Sequence, residues 1–404
     1  MVSERTLDTD VVVIGAGPAG LSAAALLAKE GISVNLFEKA PTLSPALPES
    51  WIQQDISIIS RLSIDKSLHQ AFIPKSRVEF INCDNSFSMA MEVRSSMDRI
   101  GEYVRIDKTK LKKILFDQAQ CLGVNIRQSV EVKDISFSDE HAAIKMNTPD
   151  EPQITKCKFV IDATGKFACA RQVMGIPYKT HVLDDRIGLF SHFRLQKRLD
   201  KTSMEVVAIP EGYIFLIPLS ENRLSVGVMV SKKTKPANYE SFYREKLALS
   251  SYVEEVIKAG EQVLPVIPIV NESRICQQPA QNRLVIIGEA AAFFDPFFSN
   301  GLTFSFLSAE LAADALMHLI RDGSQEKEQI FTRYCEDIHN LIGKTQAANG
   351  EYINQNSDFA NCVQAFLDPH LPHPVLAFLS LANTKMGPGS FAPSYALSQL
   401  REVF

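Results

Sequence analysis

A chain of 404 residues with a formal net charge of −5 has room for two or three domains, and nothing in its charge points to nucleic acid as a partner. A composition 46% hydrophobic and 22% charged excludes a disordered chain. Seven scattered cysteines without a C-x-x-C pair argue against a disulfide framework or a zinc site, so no metal is expected.

The opening MVSERTLDTD is polar and lacks an apolar signal core. No apolar run approaches the roughly 18–20 residues a spanning helix needs. A cytoplasmic protein without a membrane span is therefore expected. Asp10–Ile14 is continuously apolar after its first residue, the pattern of a parallel strand buried on both faces. Gly15, Gly17 and Gly20 follow in G-x-G-x-x-G spacing. Such glycines make a tight turn, admit a pyrophosphate to the backbone, and let the helix pack on the strand. Pro18 and Ala19 open the helix, where a missing N–H does no harm. The helix is expected over Leu21–Glu30 and is ended by Gly31. Ser33–Phe37 reads as the second strand. Glu38 and Lys39 follow it, and Glu38 stands where an acid accepts hydrogen bonds from a ribose. Strand, turn, helix, strand and acid in this order indicate a dinucleotide, without choosing between FAD and NAD.

Tyr103–Lys108 (YVRIDK) leads into a helix. Phe159–Gly165 (FVIDATG) is a buried strand ending in Asp162, Thr164 and Gly165. Ile187–Arg194, Met204–Ile209, Tyr213–Leu219 and Arg223–Val230 read as strands of a mostly antiparallel sheet. Tyr239–Gly260 has the apolar spacing of one amphipathic helix. Leu284–Ala291 (LVIIGEAA), with Gly288 and Glu289, reads as a third buried strand. Asp295–Gly301 (DPFFSNG) follows, including Pro296, Ser299, Asn300 and Gly301, then a helix from Leu302 to about Arg321. In the tail, Phe359–Leu367 reads as helix. His370 and His373 lie three apart among prolines, a poor metal site.

These stretches together resemble the flavoprotein monooxygenases built on a single FAD Rossmann domain, like p-hydroxybenzoate hydroxylase. Within that superfamily they resemble most the flavin-dependent halogenases. GEAAAFFDPFFSNG is similar to the halogenase pattern G-D-A-A-x-F-x-D-P-x-F-S-x-G, with Glu289 in place of Asp. DATGKFACARQVMGI is similar to their segment after the buried strand, and YVRIDK to the stretch beside FAD, with Lys108 where Arg is usual. The resemblance covers residues 8–320. It implies an α/β fold: an FAD-binding Rossmann-type domain (1–45, 99–185 and 272–325), an inserted antiparallel-sheet substrate domain (46–98 and 186–271), and a C-terminal helical region (326–404). FAD is the implied cofactor. The implied contacts are Gly15, Gly17, Pro18, Ala19, Gly20, Glu38, Lys39, Lys108, Asp162, Gly165, Gly288, Glu289, Pro296, Ser299, Asn300, Gly301 and Leu302.

The resemblance implies a flavin C4a-hydroperoxide as oxidant and two ways to use it. Halogenases carry a lysine that orients hypohalous acid, and Ala71–Phe80 matches the stretch holding it, which nominates Lys75. Halogenases also carry W-x-W-x-I-P, where this chain has Tyr213, Phe215, Ile217 and Pro218; its only tryptophan is Trp51. Smaller rings favour direct oxygenation of an aromatic ring, so Tyr213 and Phe215 join Lys75 as candidate active-site residues. Oxygenation is the first expectation, and its substrate is either a small aromatic or a protein-borne tryptophan, as in the flavoproteins of tryptophylquinone biogenesis. Halogenation through Lys75 is the alternative, and a non-catalytic flavin-binding chaperone or redox module a third. No second G-x-G-x-x-G is present, so electrons are expected from a flavin reductase or from NAD(P)H.

Overall fold

The computed structural model describes residues 8–42, 49–52, 57–74, 77–86, 88–92, 103–106, 108–181, 186–196, 199–200, 202–209, 212–231, 236–258, 260–270, 273–293, 301–322 and 326–354. Its first layer is an eight-stranded sheet. Strand β1 (Thr9–Ile14) pairs in parallel with β2 (Val34–Phe37) on one side and with Pro152–Asp162 on the other. Leu284–Ile286 pairs in parallel with the end of Pro152–Asp162, and Asn125–Arg127 with β2. Val11, Val12, Val13, Val160 and Ile161 are fully buried, as the unbroken apolar runs require. Helix α1 (Pro18–Lys29) follows β1 directly. It packs between the helices Lys108–Cys121 and Gly301–Asp322. Gly301–Asp322 has the length and hydropathy of a membrane span, but Leu302, Phe304, Phe306, Ala309, Ala312, Ala313 and Leu316 are buried in the core. It is the central core helix of this layer. Leu284–Ala291, expected as one strand, is a strand only to Ile286. It then turns through Gly288–Ala290, where Gly288 takes φ +59°.

The second large sheet joins Arg77–Ile81 and Ser88–Glu92 to Arg186–Arg194, Ser203–Ile209, Gly212–Pro218 and Arg223–Ser231. It is antiparallel except where Ser203–Ile209 runs parallel to Arg77–Ile81. Alternation divides its faces. Leu189, Ile214, Leu216, Val226 and Val228 pack against Tyr243, Leu247 and Val253. Tyr213, Phe215, Gly227 and Phe190 lie on the opposite face, in register. The helix expected over Tyr239–Gly260 is two helices, Tyr239–Leu247 and Ser251–Ile257. Ser250 breaks it: its backbone is extended, and its hydroxyl accepts the Val253 N–H at 3.3 Å as an N-cap.

A 28-residue helix, Lys327–Asn354, follows the core helix. The Phe331 ring stands edge-on to Phe159 at 6.3 Å, and the Tyr334 hydroxyl donates to the Ile286 carbonyl at 2.9 Å. The helix expected over Phe359–Leu367 and the histidines 370 and 373 lie outside the described residues.

Candidate cofactor and active site

Four chain segments reach the same crevice at the carboxyl ends of the parallel strands. They are the turn after β1, Glu38 after β2, Thr164–Gly165 after Pro152–Asp162, and Gly288–Glu289 after Leu284–Ile286. Backbone hydrogen bonds stitch them together: Gly15 N–H to Phe37 O, Ala163 N–H to Ile14 O, and Ile287 N–H to Asp162 O, at 2.8, 2.9 and 3.0 Å. Neighbouring strands lie about 4.8 Å apart, so four strand ends open a groove about 14 Å long. In open α/β sheets this carboxyl end is where ligands bind.

The three glycines sit in different surroundings. Gly15 has φ +107°, and a Cβ there would lie 2.5 Å from the Ala163 carbonyl oxygen. A Cβ on Gly20 would lie 2.0 Å from the Gly15 oxygen, so only glycine lets α1 approach β1 this closely. Gly17 faces open space, with nothing within 4 Å of an added Cβ. It is also the N-cap of α1, with no side chain capping it, so the N–H groups of the first turn point into the groove. A phosphate fits this helix end and this space. The Glu38 carboxylate accepts the Ala16 N–H at 2.7 Å and the Ala40 N–H at 2.9 Å. It therefore stands at the turn itself, one strand along from the phosphate position.

Other expected residues fall into two groups. Asp162 is fully buried, and its carboxylate accepts the Thr164 N–H and hydroxyl at 2.9 and 2.6 Å. That corrects its place: it braces the turn from behind and does not line the groove. Gly288 is also buried; its N–H donates to the Ser308 hydroxyl at 2.9 Å, and a Cβ there would meet Ala19 Cβ at 2.9 Å. It serves the packing of three elements. Gly165, with φ +64°, faces Glu289, whose Oε2 lies 3.8 Å from where a Cβ would be. Lys39 reaches out to Glu131 at 2.9 Å, and both are solvent-exposed. Leu302 is buried at the start of the core helix and Gly301 is partly exposed beside it. Lys75, Pro296, Ser299 and Asn300 lie outside the described residues.

Tyr213 and Phe215 come together as the alternation requires. Their centroids lie 4.6 Å apart at 73°, an edge-to-face pair. Tyr213 is 1% exposed, so the pair is a packed aromatic wall on the face away from the covering helices. Beside it, the Phe190 ring lies over Gly188 and Gly227, within 2.9 Å of where a Cβ on either would be. Sequence reading missed Phe190; Gly188, two residues before it on the same strand, and Gly227, opposite it on the paired strand, are the signal that could have found it. It also missed Lys112 and Lys166, which stand near Glu38 and Glu289.

A family model described as "FAD binding domain" matches residues 8–344. The chain belongs to this FAD-binding family. A pyrrole-2-carbonyl-[peptidyl-carrier protein] chlorinase of Pseudomonas fluorescens is 26% identical, over 92% of this chain and 89% of that protein. A tryptophan 2-halogenase of Chondromyces crocatus is 25% identical over 77% of this chain, which spans 62% of that longer protein. The solved flavin-dependent brominase Bmp2 superposes with a TM-score of 0.74 at 18% identity, covering 98% of both chains. The chain is an FAD-dependent oxidoreductase, and flavin-dependent halogenases are among the proteins it is similar to.

Proposed function

We propose that this flavoenzyme halogenates an electron-rich aromatic ring of pyrrole or phenol size. The observation that carries the reading is the chlorinase similarity, which runs through nearly the full length of both chains. Halogenation thus displaces direct oxygenation as the first reading, and the tryptophylquinone reading gains no support from the relatives named above. The aromatic wall agrees: Tyr213 and Phe215 keep two packed rings at the alternate positions where halogenases place tryptophans.

FAD, once bound and reduced, supplies with dioxygen and halide the hypohalous acid that halogenates. The chain's own part is orientation and exclusion of water. The groove holds the cofactor's diphosphate at the start of α1, and Glu38 takes its ribose. The Tyr213–Phe215 wall separates flavin from substrate. The Lys75 ammonium donates a hydrogen bond to the oxygen of hypohalous acid and aims its halogen at the ring; the O–X bond breaks as the ring carbon takes the halogen, and the hydroxide released leaves as water with the proton from that carbon. A separate flavin reductase supplies the electrons, and the relative's substrate points to a carrier-protein-tethered acyl ring as the first one to try.

The test supplies enzyme, FAD, a flavin reductase with NADH, and bromide or chloride. Pyrrole-2-carbonyl-carrier protein and free phenol serve as acceptors, analysed by mass spectrometry. A halogen isotope pattern on product, lost in Lys75→Ala while FAD is retained, is the expected result. Oxygen insertion without halogen incorporation would return the enzyme to the oxygenases.

A further inference from the structure

We propose that Lys112 and Lys166, together with Lys108, complete a cationic cluster that holds the pyrophosphate of FAD. The inference rests on the cofactor assignment and goes beyond it to two lysines that are not among the contacts the resemblance implies. Positions 108, 111, 112, 115 and 119 share the inward side of the Lys108–Cys121 helix, by their i, i+4, i+7 spacing. Leu111, Leu115 and Ala119 are fully buried there. Lys108 and Lys112 are accordingly half-buried, while Lys110 and Lys113 on the outer side are exposed. This inward side packs on α1, the helix whose uncapped start forms the phosphate position.

Lys112 feels Glu38 and Lys108; Lys166 feels Glu289, Lys108 and Arg274. Lys108 is a charged neighbour of both other lysines, one of them beside Glu38 and the other beside Glu289. Lys166 is fixed by the Phe293 ring, 4.1 Å below its ammonium. Loss of hydration first, and neighbouring cations after it, push both lysines' pKa values down. Lysines at i and i+4 repel, and no acidic residue stands in that helix's first turn. Lys108, Lys112 and Lys166 bring cations to the groove beside the start of α1, where the negative charge of a pyrophosphate would lie and where the glycine turn offers none.

The test measures affinity by quenching of flavin fluorescence, for FAD and for riboflavin, which lacks the pyrophosphate. Variants are Lys112→Gln, Lys166→Gln, the double variant, and Lys110→Gln as an outer-face control, with circular dichroism to confirm folding. At about 25 mM salt each inner variant is expected to bind FAD roughly tenfold more weakly and the double variant roughly a hundredfold, with the differences shrinking at about 500 mM. Riboflavin affinity and the Lys110 variant should stay at wild-type values. FAD affinity within twofold of wild type in the double variant would overturn the proposal. So would an equal loss for riboflavin, or an equal loss in Lys110→Gln. A wild type that binds neither flavin would instead sink the cofactor assignment, and this proposal with it.

Discussion

Two glycines of one turn should answer the same substitution in opposite ways. In Gly20→Ala the new methyl would start 2.0 Å from the Gly15 oxygen, where ordinary contact begins near 3.4 Å. Both partners are backbone, so α1 must move off β1 by about 1.4 Å, or the turn must distort. Overpacking of this kind costs about 1–3 kcal/mol, and a backbone clash lies at the upper end. At roughly 2.1 cal/mol/K per residue, the unfolding entropy of 404 residues is about 0.85 kcal/mol/K, so Tm should fall by about 3–4 °C. Gly17→Ala meets nothing within 4 Å, and its φ of −77° suits alanine. The unfolded-state gain of about 0.4–1 kcal/mol is offset by the poorer N-cap, so Tm should stay within about 1 °C. Both variants should lose FAD affinity by roughly tenfold or more. Gly17→Ala does so because its methyl occupies the space a pyrophosphate needs. Thermal melts of the cofactor-free protein, with flavin-fluorescence titrations, read both effects. An unchanged melt for Gly20→Ala would refute the close approach; full FAD affinity in a stable Gly17→Ala would refute the phosphate position.

Glu38→Gln keeps the shape but leaves one backbone N–H of the turn facing an amide N–H₂; FAD affinity should fall roughly 10- to 100-fold by fluorescence titration. Lys75→Ala should abolish halogen incorporation while leaving the FAD spectrum unchanged. His192 is buried, its Nε2 has no partner among the described residues, and burial lowers its pKa below 6.5. A lowered histidine pKa means that the unfolded chain takes the proton first. Stability is thus complete above about pH 6.5 and lost as pH falls from there toward the folded value, and His192→Phe should flatten that part of a denaturation-versus-pH curve. Arg61 bonds Glu310 at 2.7 Å and Asp314 at 2.8 Å, tying the short helix Ser57–Arg61 to the core helix. Arg61→Ala should cost about 1 kcal/mol in urea melts, and less in high salt.

The nucleotide half of the fold was legible because its signals are local. Asp10–Glu38 puts strand, turn, helix and acid within one short stretch, and each glycine's task follows from where the next element must pack. Asp162 shows the limit: the sequence places it at a strand end beside the crevice but cannot say that Thr164 turns the carboxylate inward. The break at Ser250 went unread because apolar periodicity runs through it, and a single side-chain cap decides the outcome. Lys112 and Lys166 stayed hidden because their meaning depends on Glu38 and Glu289, distant in sequence and brought near only by sheet order. Phe190 required knowing which strands pair.

The nucleotide groove also has a birth order. Its four edges come from Gly15, Glu38, Gly165 and Gly288, so β1 is synthesised long before its second parallel neighbour. At roughly 5–20 residues per second, the strand ending at Asp162 follows β1 by about 7–30 s, and Ile286 by about 14–54 s. Through that interval Val11–Ile14 must wait with one edge unpaired, the condition under which nascent parallel sheets aggregate. FAD cannot seat until the last edge has left the ribosome. The cofactor therefore cannot template the early fold; it can only latch a finished one, and flavin supply during expression should govern the yield of surviving protein more than its rate of folding.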